Sequence, residues 1–487
     1  MQADSAIHHA GYHEALDWLY SLSPNIRTAA EIVADHPRKL ARTRALLQEI
    51  GNPDLLMSSV LVAGTKGKGS IAAYTEAMLR AAGYRTGLVT SPHLVSWCER
   101  TRVDGRDVDP ESVARLLPDI RRAIERLEAR RPDLGHVTTF EAGFAFALQA
   151  FSERGVQVAV VEAGVGGLHD ATNVLEPLAV ALGPISYDHM ATLGHTLTAI
   201  ATEKTGIFRS GRLAVSAHQS PEAFAVVQQQ AAQTGARLEV IGDAWQWRPD
   251  DPLSACGAFS IAGPRGHFQR LETPLLGRHQ RENAAAAVAL TTGVLDVLPP
   301  GTAAASSSAT RRGVTGRVAV ASTIGPTGAV RDAVAVDGLV RAGLKTVRWP
   351  GRLQVLQKRP WLVLDGAHNG DSAVRLAEAM SDCFPAGRRS LILGTSVGKD
   401  VARILDALLP IASSVTLTRS HHERSVPLDA LAKTVAGRGV PAQIVPEVRD
   451  AIAQTLAQAA SSDVILVTGS LFVVGEALEL SWDGERT

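Results

Sequence analysis

Residues Gly64-Thr65-Lys66-Gly67-Lys68-Gly69-Ser70 bring three glycines, two lysines and two hydroxyls together directly after the apolar run Val60-Leu61-Val62-Ala63. Glycine lets a backbone approach an anion closely, so successive N–H groups of such a loop can wrap a phosphate. A helical pattern follows, which places a helix N-terminus and its favourable dipole behind the loop. Lys68 adds a point charge. Gly69, between Lys68 and Ser70, departs from the common Walker A spacing. A solvated glycine turn is the plain alternative, and the strand–loop–helix context weighs against it.

Other residues could complete phosphate chemistry. Glu162 ends the near-continuous β-branched run Val156–Glu162, where an acid can hold Mg²⁺ or simply cap a helix or join a salt bridge. Asp188-His189 follows a second apolar stretch, 178–185, again at a strand end. Lys204, in Glu203-Lys204-Thr205-Gly206, reads in isolation as an exposed helical lysine near a C-cap glycine. Asn283, early in an alanine-rich helix, has an amide suited to an adenine edge or to a cap. Arg348-Trp349-Pro350-Gly351-Arg352 holds guanidinium groups on a rigid turn, suited to a phosphate clamp. Asp365-Gly366-Ala367-His368-Asn369 clusters an acid, an imidazole and an amide at another strand end.

Positioning such groups takes alternating strands and helices, and the chain has that pattern. Helical spacing recurs through the first fifty residues, over 71–82, over about 110–130 and from Thr139. Strands are expected at 88–90 (running into Ser91-Pro92), 156–162 and 178–185. From Trp361 the alternation becomes regular, with strands at 361–364, 391–393, 415–417, 443–445 and 464–467, and helices at 372–380, 401–409 and 450–459. This predicts an α/β doubly wound fold in two units, with ligands gathered at strand C-termini. Residues 299–330, rich in Ala, Ser, Thr and Gly, read as an inserted flexible segment.

A chain of 487 residues exceeds one ordinary core. Forty-nine basic residues balance forty-nine acidic ones, which argues against nucleic-acid or membrane-surface partners and makes any anion binding local. No transmembrane-length apolar run or signal peptide is evident. Cys98, Cys256 and Cys383 lie far apart in sequence, without metal spacing, which fits a reducing, cytoplasmic setting.

Taken in order, the stretches GTKGKGS (64–70), TSPHL (90–94), ERTRVDG (99–105), TFEAGFAFA (139–147), EAGVGGLHDATNV (162–174), DHMATLGHTLTAIATEKTGIF (188–208), GRHQRENAAAA (277–287), VRWPGRLQVL (347–356), LDGAHN (364–369) and GSLFVVGEA (469–477) resemble the folylpolyglutamate synthase/dihydrofolate synthase family of Mur-type ligases. The resemblance implies a large P-loop-type ATP-binding domain over 1–347 and a smaller Rossmann-like glutamate-ligase domain over 348–487. It implies an enzyme that spends ATP to convert a pterin or folate carboxylate into an acyl phosphate, which the amine of L-glutamate then attacks. By the same resemblance, Gly64 to Ser70, Asn283, Arg352, Asp365 and His368 contact ATP. Ser91 and Glu162 hold one Mg²⁺, and His189 with a carbamylated Lys204 holds a second. Lys68, His189, Lys204 and Arg352 would carry the chemistry. A monomer acting on small molecules alone is expected.

The chain also departs from the family pattern. Gly167-Leu168-His169-Asp170 stands where Gly-Gly-Arg-Leu-Asp is usual, so an arginine contact is missing. Gly370 replaces a proline after His368-Asn369, Thr395 to Asp400 lacks the usual Ala-Asp before Lys-Asp, and the 299–330 segment has no typical counterpart. Two other readings are a Mur-type ligase for a non-folate carboxylate and a nucleotide-binding regulator without turnover. A GTPase or kinase lacks support, because no guanine-reading Asn-Lys-x-Asp segment is present.

Overall fold

The computed structural model describes residues 2–23, 28–251, 256–299, 332–384, 387–440 and 442–480. Eight strands form the first sheet: β1 (Ser58–Ala63), β2 (Thr86–Val89), β3 (Thr101–Val103), β4 (Arg106–Asp107), β5 (Val158–Glu162), β6 (Ala179–Leu182), β7 (Leu213–Ser216) and β8 (Arg237–Val240). Their order is β4-β3-β2-β5-β1-β6-β7-β8, parallel from β2 to β8, with β3 and β4 antiparallel at one edge.

Strand periodicity accounts for the layers. Side chains alternate across a strand, so Leu61 and Ala63 of β1 enter one core while Val60 and Val62 enter the other. The first core is covered by helices Ala29–Glu49, Pro110–Arg130 and Thr139–Glu153. The second is covered by Lys68–Ala81, Arg278–Leu295 and Ala333–Thr346. Ala284 to Ala287 are fully buried, and their small side chains let helix Arg278–Leu295 lie close to the phosphate-loop helix. Both faces of the central strands are therefore dry, as their continuous apolar runs require.

A three-stranded antiparallel sheet, β9 (Gln246–Pro249), β10 (Phe259–Gly263) and β11 (Gly266–Leu271), in the order β11-β10-β9, lies between the last parallel strand and helix Arg278–Leu295. The second α/β unit has β12 (Gln354–Lys358), β13 (Trp361–Leu364), β14 (Arg389–Leu393), β15 (Ser414–Arg419), β16 (Ala442–Glu447) and β17 (Val464–Thr468). Their order is β12-β13-β17-β14-β15-β16, with only β12 antiparallel. Of the inserted segment expected at 299–330, all but Pro299 lies outside the described residues.

One expectation is corrected. Cys256 and Cys383 do not stay isolated: they form a disulfide with a Cα–Cα distance of 5.5 Å across 127 residues. Sequence separation hid the pair because it joins the loop before β10 to the end of helix Gly370–Cys383, and only the docking of the two units brings these together. Arg278 and Asp382 pair at 3.4 Å in the same region. Cys98 is a buried free thiol. Among the described residues, no helix is long and apolar enough to cross a membrane.

Candidate active site

The loop 64–70 caps the C-terminal end of β1 and turns into helix Lys68–Ala81, with Gly67 as N-cap at φ +75°. Its glycines answer to specific neighbours. A Cβ on Gly67 would lie 2.4 Å from Asn283 Oδ1, and one on Gly69 would lie 2.5 Å from the Trp349 ring and 3.3 Å from Glu162 Oε2. Gly69 is thus the residue over which the second unit closes, which gives the departure from Walker A spacing a steric reason. Thr65 Oγ1 donates to Ser186 O and accepts from Ser186 N–H, both at 3.1 Å, pinning the loop to the chain after β6. Ser70 is buried in the first turn of the helix.

Around this loop the strand ends converge. Glu162, at the end of β5, accepts from Ser91 N–H at 3.1 Å and lies 3.7 Å from Lys68 Nζ. Burial raises its pKa, while Lys68 and Arg352 act to lower it. Lys66 Nζ donates to Asp188 Oδ2 at 2.9 Å, and Asn369 Nδ2 from the second unit reaches the same oxygen at 3.3 Å. Burial acts to raise the Asp188 carboxyl, but Lys66 and His189 outweigh it and hold it well below the usual carboxylate range. His189, at φ +50°, starts a short turn of helix beside Asp188, and burial lowers its pKa.

Lys204 is not the exposed helical lysine that its flanks suggest. It is 4% exposed, and its Nζ donates to Gly64 O at 2.9 Å, on the underside of the phosphate loop. Burial, reinforced by Lys68, lowers its pKa to about 7. Asn283 is inside its helix, not at the cap, which is Gly277. It is buried, with its amide nitrogen on Gln280 and its oxygen turned to Gly67.

The second unit supplies the opposite wall. Asp365, buried at the end of β13, accepts from Leu353 N–H and Ala367 N–H, each at 2.8 Å. Each carboxylate oxygen thus holds one backbone N–H, and together they fix the turn that carries Arg352. A Cβ on Gly366 would come within 2.5 Å of the Arg352 guanidinium. His368 Nδ1 lies 2.8 Å from Gly366 O, and burial, with Lys66 next, lowers its pKa to about 4. Asn369 caps helix Gly370–Cys383 by accepting from Ser372 N–H. Trp349 packs on Gly69 and under Arg102, whose guanidinium lies 5.3 Å from its ring.

Sequence reasoning missed Trp349 as a contact to the loop, and missed Asp188 as the link between Lys66 and Asn369. The acid–imidazole pair at a strand end was the available signal for Asp188. Nothing local pointed Trp349 at Gly69.

A phosphate loop and buried acid on one α/β unit, faced by an arginine turn on another, define a two-domain nucleotide-dependent ligase. Residues 62–291 match the Mur ligase middle domain, and residues 351–471 the glutamate ligase domain of Mur ligases. The dihydrofolate synthase/folylpolyglutamate synthase of Bacillus subtilis is 30% identical over 90% of this chain and 93% of its own length. The structure of Mycobacterium tuberculosis folylpolyglutamate synthase complexed with ADP is similar at TM-score 0.80 and 28% identity, over 97% of this chain and 98% of that one. The bifunctional synthase of Yersinia pestis, complexed with AMPPNP and a Mn ion, gives 0.74 and 27%, over 96% and 98%. The chain belongs to the folylpolyglutamate synthase/dihydrofolate synthase family of Mur ligases, and it is an ATP-dependent ligase that adds glutamate.

Proposed function

We propose that the acceptor is dihydropteroate or a reduced folate, and that the reaction proceeds through an acyl phosphate held between the two walls. The acceptor follows the family, and the observation that carries the acyl-phosphate step is the packing of Trp349 on Gly69, with Arg352 near enough to Glu162 to act on its pKa. Phosphoryl transfer asks a protein for positioning and charge neutralisation more than for covalent help. The loop N–H groups and Lys68 hold the β- and γ-phosphates, and Arg352 meets the charge that develops as the substrate carboxylate attacks the γ-phosphorus. ADP then leaves the phosphoryl group on the carboxylate. The glutamate amine attacks that carbonyl, and phosphate departs as the amide forms. Asn283, against Gly67, reads the adenine end of the nucleotide. Asp365 and His368 shape and line the opposite wall.

The donor set fits divalent metal. Glu162 and the Ser91 hydroxyl suit one Mg²⁺, which would neutralise phosphate charge. His189 and Lys204 suit a second, provided that Lys204 is carbamylated. Carbamylation needs a neutral amine, and a pKa of about 7 gives Lys204 that form near neutrality. The carbamate then offers an oxygen ligand where an ammonium would repel the ion. The domain division falls near residue 347. Both walls come from one chain, so one copy completes the site and a monomer suffices; a cytoplasmic setting remains part of this proposal and rests on neither the cysteines nor the use of ATP.

The test is ADP release with MgATP and L-glutamate, first with dihydropteroate and then with tetrahydrofolate, followed by the product's mass. Glutamate-dependent ADP release with either acceptor is expected. Release with other carboxylates but neither of these would sink the folate assignment and leave the ligase class standing.

A further inference from the structure

The departure Gly167-Leu168-His169-Asp170 has a partner elsewhere in the chain. His169 stacks on His36, from helix Ala29–Glu49, with ring centroids 4.6 Å apart and planes 10° from parallel. Its Nδ1 lies 2.7 Å from Glu203 Oε1, on helix Leu197–Thr205. One ligand atom from each of His36, His169 and Glu203 can be chosen so that all lie within 4.8 Å of one another. All three side chains are half-buried, open to an entering ion.

We propose that His36, His169 and Glu203 bind a divalent transition-metal ion, with Zn²⁺ as the best fit. Two imidazoles and a carboxylate are the donor set of open zinc sites, and they select such ions over Mg²⁺, which prefers oxygen. Four ligands at about 2.1 Å around a tetrahedral ion sit about 3.4 Å apart, so closing the site takes an approach of up to about 1.4 Å between ligand atoms and a rotation of the stacked rings, whose lone pairs lie in the ring planes.

The scaffold behind each ligand is already fixed. Asp35, next to His36, is held by both terminal nitrogens of buried Arg42, whose guanidinium also binds Glu141. Leu168 N–H donates to Glu203 O at 2.7 Å, and Asn173 Nδ2 donates to Leu168 O and Gly206 O. His169 and Glu203 therefore move as one piece, and His36 faces them from a pinned helix. The ion would fasten three segments 133 and 34 residues apart, one of which carries Lys204. The site shares no residue with Glu162 and Ser91.

The test is a Co²⁺ titration of EDTA-treated full-length protein in saturating MgADP, read by visible absorption and reversed by Zn²⁺. One equivalent with a low-coordinate spectrum is expected. Affinity should fall at least about 10–100-fold in His36→Ala and His169→Ala, and less in Glu203→Gln. His189→Ala should leave the band unchanged. Thermal melting of the metal-free variants checks folding, and the rise in Tm that Zn²⁺ gives the wild type should vanish in both histidine variants. A band that survives both histidine substitutions, or no band in wild type, overturns the proposal and leaves a hydrogen-bonded histidine stack.

Discussion

The two walls of the site are built differently. On the central unit, Ser70, Glu162, Lys204 and Asn283 are each no more than 5% exposed and arise from adjoining strand ends and the helices packed on them. Their geometry is set by cores that are dry on both faces of the sheet. On the second unit, Arg352 and His368 hang from turns that Asp365 shapes, and the unit reaches the first wall by side-chain contacts that include Trp349 on Gly69, Asn369 on Asp188, Arg102 on Trp349 and Leu94 on the core beside Gly475, with the Cys256–Cys383 bond and the Arg278–Asp382 pair farther away. One wall is preorganised, whereas the other is delivered by docking. Damage to the first should act on the chemical step, and damage to the second on closure over nucleotide.

The largest effect is expected at Lys204. Lys204→Ala should lower kcat about 10²–10³-fold with the fold intact, as loss of a group that stabilises transferred charge does, and added short carboxylates should restore part of it. Wild-type turnover would remove Lys204 from the site. The same residue gives a pH dependence. With a pKa of about 7, the ammonium form grows as pH falls through 7, so the carbamate is lost and the rate should fall on the acid side. A flat profile from pH 6 to 8 would argue against it.

Arg352→Ala comes next. It should lower kcat/KM for ATP about 10–100-fold with much of the change in KM, and Arg352→Lys should recover little, because a guanidinium fork and an ammonium are not equivalent on phosphate. A change in KM alone would remove Arg352 from the developing charge, and a change in kcat alone would remove it from closure over nucleotide. Gly69→Ala probes the seam itself. The new methyl must displace the Trp349 ring, at a cost of about 1–3 kcal/mol to the closed form. Trp349→Ala in the same chain should relieve part of it, and additive losses would mean that the two do not touch during turnover. The smallest effect on turnover is expected from Cys256→Ser, which should change the rate less than about threefold. Its cost should appear in unfolding, at about 2–4 kcal/mol, since the bond closes a long loop between the units.

Helix Pro110–Arg130 is legible to its ends because Asp109 caps it, proline opens it and the apolar stripe runs its length. Strands β13, β14 and β17 are legible as apolar runs buried on both faces, whereas β16 is mostly exposed and is legible from its place in the alternation. The antiparallel sheet β9–β11 escaped because its strands mix exposed and buried positions within four to six residues. Glu162 and Arg352 were readable from strand-end and turn chemistry, whereas the burial of Lys204 was not, since its neighbours in sequence are those of a surface helix.

By itself the sequence determined the local devices: the phosphate loop, the strand-end acid, the arginine turn and the family to which their order belongs. Each depends on residues within one turn or one strand, where backbone freedom and side-chain type act directly. Tertiary structure alone decided that Gly69 faces Trp349, that Lys204 lies under Gly64, that Cys256 meets Cys383, and that His36 stacks on His169. Those pairs are separated by 127 to 280 residues, and no local preference encodes a contact that forms only when two cores pack together.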